Sequence, residues 1–105
     1  MTLYLLNSLV LTDYGLWRFS PLSEQEARQR ASGGFVSAVG HEGTARLLSE
    51  VLGVQVPVAH NRVQLKPGDA AIVLQLLERL PEGAVLDTET LRTIPRELSL
   101  LERQE

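Results

Sequence analysis

The sequence predicts an α+β fold: a single small domain, residues 1–105, built as a mixed sheet of about five strands with flanking helices. Three observations carry that prediction. Short apolar runs such as Leu3-Tyr4-Leu5-Leu6 and Ile72-Val73-Leu74 have strand length and stand near turn residues. Two segments with helix start and stop signals are interspersed among them, without the regular alternation of a βα repeat. Finally, 105 residues with 44% hydrophobic content suit one core and are too few for two of ordinary size.

Taken in order, Leu3 to Leu6, closed by Asn7-Ser8, reads as a buried central strand. Leu9 to Leu16 is a loop or turn into a shorter strand around Trp17-Arg18-Phe19, where alternation predicts that Trp17 and Phe19 face the core. Ser23 and Glu26 have capping-box spacing, so a helix starts there, runs to about Ala31 and stops at Gly33-Gly34. From His41 onward, Ala45, Leu48 and Leu52 continue one stripe flanked by Leu47 and Val51, which predicts an amphipathic helix ending at Gly53. That stripe puts His41 at its N-terminus and on its packed side.

Val54 to Val58 is a connector or edge piece, because Pro57 cannot donate to a ladder. Asn61 to Lys66, the turn Pro67-Gly68-Asp69 and Ala70 to Leu77 then predict a hairpin. Its first arm alternates Arg62, Gln64 and Lys66 with Val63 and Leu65. Its second arm is apolar enough to be central and covered on both faces. Arg79-Leu80-Pro81-Glu82-Gly83 is a polar loop before Ala84-Val85-Leu86. Asp87 caps a short helix through Leu91 that Pro95 ends, Leu98 to Leu101 form the last strand, and Glu102 to Glu105 are expected to fray.

Composition narrows the function classes. A formal net charge of −3 argues against bulk DNA or RNA binding through a basic surface, but not against a small anion held by a few clustered arginines. With no cysteine there is no disulfide, thiolate nucleophile or cysteine metal site. The apolar N-terminus lacks the basic flank of a signal peptide, and no run approaches membrane-spanning length. The expected location is cytoplasmic, the host cytoplasm if the gene is viral, with no membrane partner.

The two histidines, His41 and His60, show no metal-ligand spacing with a carboxylate, and P-loop, GxGxxG and GxSxG patterns are missing. No metal and no cofactor are expected. What remains is Ser37-Ala38-Val39-Gly40-His41 leading into a helix, with the backbone freedom of Gly40 shaping the turn. The loop carboxylate of Glu82 and the arginines Arg62 and Arg79 complete the set. Such a set suits a substrate that brings its own nucleophile, with the enzyme supplying a general acid and cations for a phosphate. An RNA-like phosphodiester does so through its ribose 2′-hydroxyl.

Asn7-Ser8, Ser37 to His41, Leu52-Gly53-Val54, Asn61-Arg62-Val63 and Arg79 to Gly83 together resemble, in order and over nearly the whole chain, the B116-like family first noted in archaeal viruses. That family includes viral anti-CRISPR ring nucleases and their bacterial and phage relatives. The resemblance implies a homodimer that binds cyclic tetra-adenylate, the second messenger of type III CRISPR defence, across its two-fold interface. It implies metal-independent cleavage to linear di-adenylate with 2′,3′-cyclic phosphate ends. By the same resemblance His41 is the general acid, Glu82 positions or tunes it, Arg62 and Arg79 hold phosphates or bases, Asn7 and Ser8 line the pocket floor, and Gly40 is counted with them among the substrate-binding residues. The segment Val58-Ala59-His60-Asn61 is longer than the family's usual run into Asn-Arg-Val, and His60 adjoins a proposed ligand residue.

Two other readings remain. One is a non-catalytic protein that sequesters a cyclic nucleotide; the other is a protein that binds DNA or a protein partner, which the acidic balance disfavours.

Overall fold

A computed structural model describes residues 2–77 and 93–105. The chain runs β1 (Leu3–Leu6), β2 (Trp17–Pro21), α1 (Glu24–Ala31), β3 (Val36–Ser37), α2 (Glu42–Leu52), β4 (Ala70–Leu76) and β5 (Arg96–Arg103). The strands form one five-stranded mixed sheet in the order β2-β5-β4-β1-β3. β1 is parallel to both β3 and β4, whereas β5 is antiparallel to β4 and β2. The predicted α+β class and mixed sheet are therefore found, with two helices among the described residues. The predicted Ala84–Leu86 piece and the Asp87 helix lie outside those residues.

Period-two alternation sorts the apolar residues into two layers. Leu5, Ile72, Leu74, Leu98 and Leu100 pack on the face covered by both helices, against Ala27, Ala31, Leu48 and Leu52. Leu6, Ala71, Val73 and Leu101 face the other way, where Leu65, Val63, Trp17 and Tyr4 cover them. β4 thus needs apolar side chains in every position, and its first five residues are all buried.

Local signals place the helices. Ser23 accepts the Glu26 backbone N–H at 3.1 Å and so caps α1. α2 ends at Gly53, whose φ of +68° and ψ of +20° is a left-handed conformation that a Cβ would strain. Arg28 of α1 donates Nε to the carbonyl of Val51 at 2.6 Å, which sets a cation on the carbonyl end of α2 and joins the helices.

Three expectations are corrected here, and the rest at the site. Residues 61–66 form no strand, because both edges of β4 are already hydrogen-bonded, to β1 and to β5. The short β3 supplies the fifth strand instead. The predicted turn does form, with the Asp69 N–H donating to the Lys66 carbonyl at 2.8 Å, and the alternation persists: Leu65 is fully buried while Arg62, Gln64 and Lys66 are exposed. Phe19 is 46% exposed, since β2 is an edge strand and only Trp17 reaches the second apolar layer. The C-terminus does not fray: Gln104 N–H donates to the Leu16 carbonyl at 2.8 Å and Leu16 N–H to the Glu105 carbonyl at 3.1 Å.

Candidate functional site

Three parallel strands point their carboxyl ends the same way. The register Tyr4↔Val36 and Leu6↔Val73 means that Asn7-Ser8, Ala38 to His41 and the end of β4 leave the sheet at one edge. Loops at the carboxyl ends of parallel strands are where open sheets with helices bind ligands. Asn7 and Ser8 are exposed there, directly after β1.

His41 caps α2. Its backbone is extended at φ −116° and ψ 123°, and its ring Nδ1 accepts the Thr44 N–H at 3.3 Å. Thr44 Oγ1 lies 3.2 Å from the same nitrogen. A hydroxyl can donate to a bare Nδ1 and accept from a protonated one, so Thr44 orients the ring in either state. Nε2 has no hydrogen-bond partner among the described residues. Contrary to the expectation from the helical stripe, His41 is exposed, because a cap residue has left the helical path and its side chain folds back over the first turn. Gly43, Thr44 and Ala45 take the buried positions behind it.

The connector after α2 returns to this turn. Ser37, 5% exposed, donates Oγ to the Pro57 carbonyl at 2.7 Å. Ala59 N–H donates to the Val39 carbonyl at 3.0 Å, and Asn61 Nδ2 to the Ser37 carbonyl at 2.8 Å. The run through Val58-Ala59-His60 is thereby held against the 37–40 turn, and Arg62, exposed, follows one residue after the last of these bonds. At Gly40 the structure shows a close approach where the sequence suggested backbone freedom. Its φ is not positive; instead a Cβ there would stand 2.8 Å from Nδ1 and 2.9 Å from Cε1 of His60.

The described structure therefore gathers Asn7, Ser8, Gly40 and His41 at the carboxyl-end edge, with Arg62 on a segment tied to the same turn. Arg79 and Glu82 lie outside the described residues. Among the described residues, no group of three or more His, Cys, Asp or Glu side chains is placed to hold a metal ion. No helix among them is long and apolar enough to cross a membrane. Sequence reasoning gave Thr44 no part beside His41, and it noted His60 only as adjoining a proposed ligand residue, without its contact with Gly40. Thr44 stands at the spacing whose N–H a cap accepts, whereas the contact of His60 with Gly40 joins positions 20 apart and leaves no local trace.

Fold and site together define a small α+β protein with a five-stranded mixed sheet, whose conspicuous polar turn lies at the carboxyl ends of its parallel strands. The model of the STIV B116-like family matches residues 3–98, and the chain belongs to that family. It is 40% identical over 94 residues to the uncharacterized protein ORF117 of Acidianus two-tailed virus, covering 84% of this chain and 80% of that one. The uncharacterized protein YddF of Bacillus subtilis is 29% identical over 106 residues, covering 98% of each chain. Among solved structures, B116 of Sulfolobus turreted icosahedral virus superposes with a TM-score of 0.83 at 19% identity, over 98% of this chain and all of that one, which shows the shared fold.

Proposed function

We infer that this protein is a metal-independent phosphodiesterase, a ring nuclease that opens cyclic tetra-adenylate and so switches off type III CRISPR signalling. The observation that carries the reading is the geometry of His41 in a chain of this family: a histidine held by Thr44 at the mouth of a helix, with Nε2 unengaged. In the reaction, a ribose 2′-oxygen attacks the adjacent phosphorus in line as its proton leaves to solvent, and the bond from phosphorus to the 5′-oxygen breaks. His41, protonated on both ring nitrogens with Nδ1 donating to Thr44 Oγ1 in place of accepting the Thr44 N–H, delivers its Nε2 proton to that departing oxygen and is left neutral. The products are a 2′,3′-cyclic phosphate and a free 5′-hydroxyl, and two such cuts on opposite sides of the ring give two linear di-adenylates.

The protein's contribution is a positioned acid, worth about 10²–10⁴-fold, together with in-line alignment of the 2′-oxygen. Arg62 supplies charge for the phosphates, with Arg79, and Glu82 positions His41. Asn7 and Ser8 contact the ligand beneath. A cyclic tetranucleotide has near two-fold symmetry, so a homodimer presents one His41 to each of two opposite phosphodiesters.

The test is incubation with cyclic tri-, tetra- and hexa-adenylate in EDTA, with products separated by chromatography. Multiple-turnover formation of linear di-adenylate from the tetramer is expected. Tight binding without product would instead assign the protein as a sequestering module, and loss of activity in EDTA would assign the chemistry to a metal.

A further inference from the structure

We propose that His60 is a positioning residue of this site: its ring, laid against Gly40, fixes the turn that delivers His41. The inference rests on the phosphodiesterase reading above. Three hydrogen bonds fasten the segment just before Gly40 to residues 57–61, from Ser37 Oγ to Pro57, from Ala59 N–H to Val39 and from Asn61 Nδ2 to Ser37. None of them reaches Gly40 itself. The space a side chain would occupy at Gly40 is filled by the His60 imidazole, with Nδ1 and Cε1 at 2.8 and 2.9 Å from an ideal Cβ. Gly40 is the residue immediately before the cap, so a change in its backbone moves His41, together with the start of α2, relative to the Ser37–Val39 segment.

The cap bond alone does not set that position. At 3.3 Å, the contact between Thr44 N–H and His41 Nδ1 is long for a hydrogen bond and fixes the ring only relative to the helix. The ring's placement relative to Asn7, Ser8 and the connector carrying Arg62 depends on the Val39-Gly40 backbone, and the His60 ring limits how that backbone can move. His60 is itself exposed, so it can be changed without opening the core.

Four variants, His60→Ala, His60→Phe, Gly40→Ala and the double variant Gly40→Ala/His60→Ala, test this by steady-state cleavage of cyclic tetra-adenylate across pH, alongside thermal melts. His60→Ala should lower kcat about 10-fold to 100-fold, the scale expected when a catalytic group shifts by on the order of 1 Å. KM should stay within about twofold and Tm should hardly change. His60→Phe, which restores a planar ring against Gly40, should recover most of kcat with the wild-type pH profile. Gly40→Ala should resemble His60→Ala, because the new methyl displaces the ring, and the double variant should be no worse than either single one.

Wild-type kcat in His60→Ala overturns the inference, as do independent, multiplying losses from the two single variants. A His60→Phe protein as impaired as His60→Ala, with one limb of the pH profile missing, also overturns it, since the ring would then be exchanging protons. If the wild-type protein leaves cyclic tetra-adenylate intact, the phosphodiesterase reading fails and this inference with it. Cleavage that is indifferent to His60 sinks this inference alone.

Discussion

The side-chain amide of Asn61 donates to the backbone carbonyl of Ser37 at 2.8 Å, across 24 residues of sequence. This bond decides where Arg62 can reach. It ties the irregular connector after α2 to the turn that leads into His41, and Arg62 is the next residue along. Removing it with Asn61→Ala should cost about 0.5–1.5 kcal/mol of stability and raise the Kd for cyclic tetra-adenylate, measured with an uncleaving His41 variant. An unchanged Kd would detach Arg62 from the site.

His41 has two roles that different substitutions separate. His41→Ala should lose both the cap, worth about 1 kcal/mol, and all cleavage, while ligand binding persists. His41→Asn keeps a side-chain acceptor for the Thr44 N–H without a transferable proton, so Tm should return toward wild type with no return of turnover. Cleavage by either variant would remove His41 from the chemistry.

Thr44→Val deletes the hydroxyl 3.2 Å from His41 Nδ1 while keeping the buried shape. Its backbone N–H still meets the cap, so the fold should hold. Cleavage should fall about 10-fold, on the scale of a modest misplacement, and KM should barely move. A full wild-type rate would show that the cap bond alone orients the ring.

Asp69 gives a pH-dependent prediction away from the site. Burial works against its charge, but the backbone N–H groups of Lys66 and Thr2, at 3.0 and 2.8 Å, together with the nearby Lys66 charge, hold the carboxyl below its usual value. A carboxyl depressed in the folded state adds stability above its unfolded pKa of about 3.9, and that stability is lost as pH falls through the folded value. Asp69→Asn should therefore melt below wild type at neutral pH, and the gap should close as pH drops below about 4. A gap independent of pH would mean that the charge contributes nothing.

Arg103 holds the loop before β2. Its guanidinium donates to Asp13 at 3.1 Å, to the Leu65 carbonyl at 2.7 Å and to the Tyr14 carbonyl at 3.2 Å, and sits 5.5 Å from the Trp17 ring centroid. Arg103→Ala should destabilise by about 2 kcal/mol, as several charge-assisted bonds and a cation–π contact go together. Hydrogen exchange should rise in residues 12–17 and leave the 37–41 turn protected; faster exchange throughout would mean global loosening.

Much of this architecture was legible as local pattern. Ser23 with Glu26 announced α1, the stripe to Leu52 and the following Gly53 announced α2, and the continuous apolar run of β4 announced a strand covered on both faces. Each signal acts within one or two turns of chain, where spacing and backbone preference decide the outcome. The order of the sheet was not legible, because strand edges are filled by competition. Residues 61–66 alternate like a strand, yet β1 and β5 occupy both edges of β4, so the alternation only turns Val63 and Leu65 inward.

The site divides along the same line. Sequence by itself determined that a histidine would begin a helix after a glycine, and which family pattern its neighbours fit. Tertiary structure decided that the ring of His60 lies against Gly40, and that the segment carrying Arg62 is bonded to Ser37 and Val39. The physical reason is range: a cap is settled by backbone geometry within four residues, whereas those contacts depend on loop closures of about 20 residues that no local preference encodes.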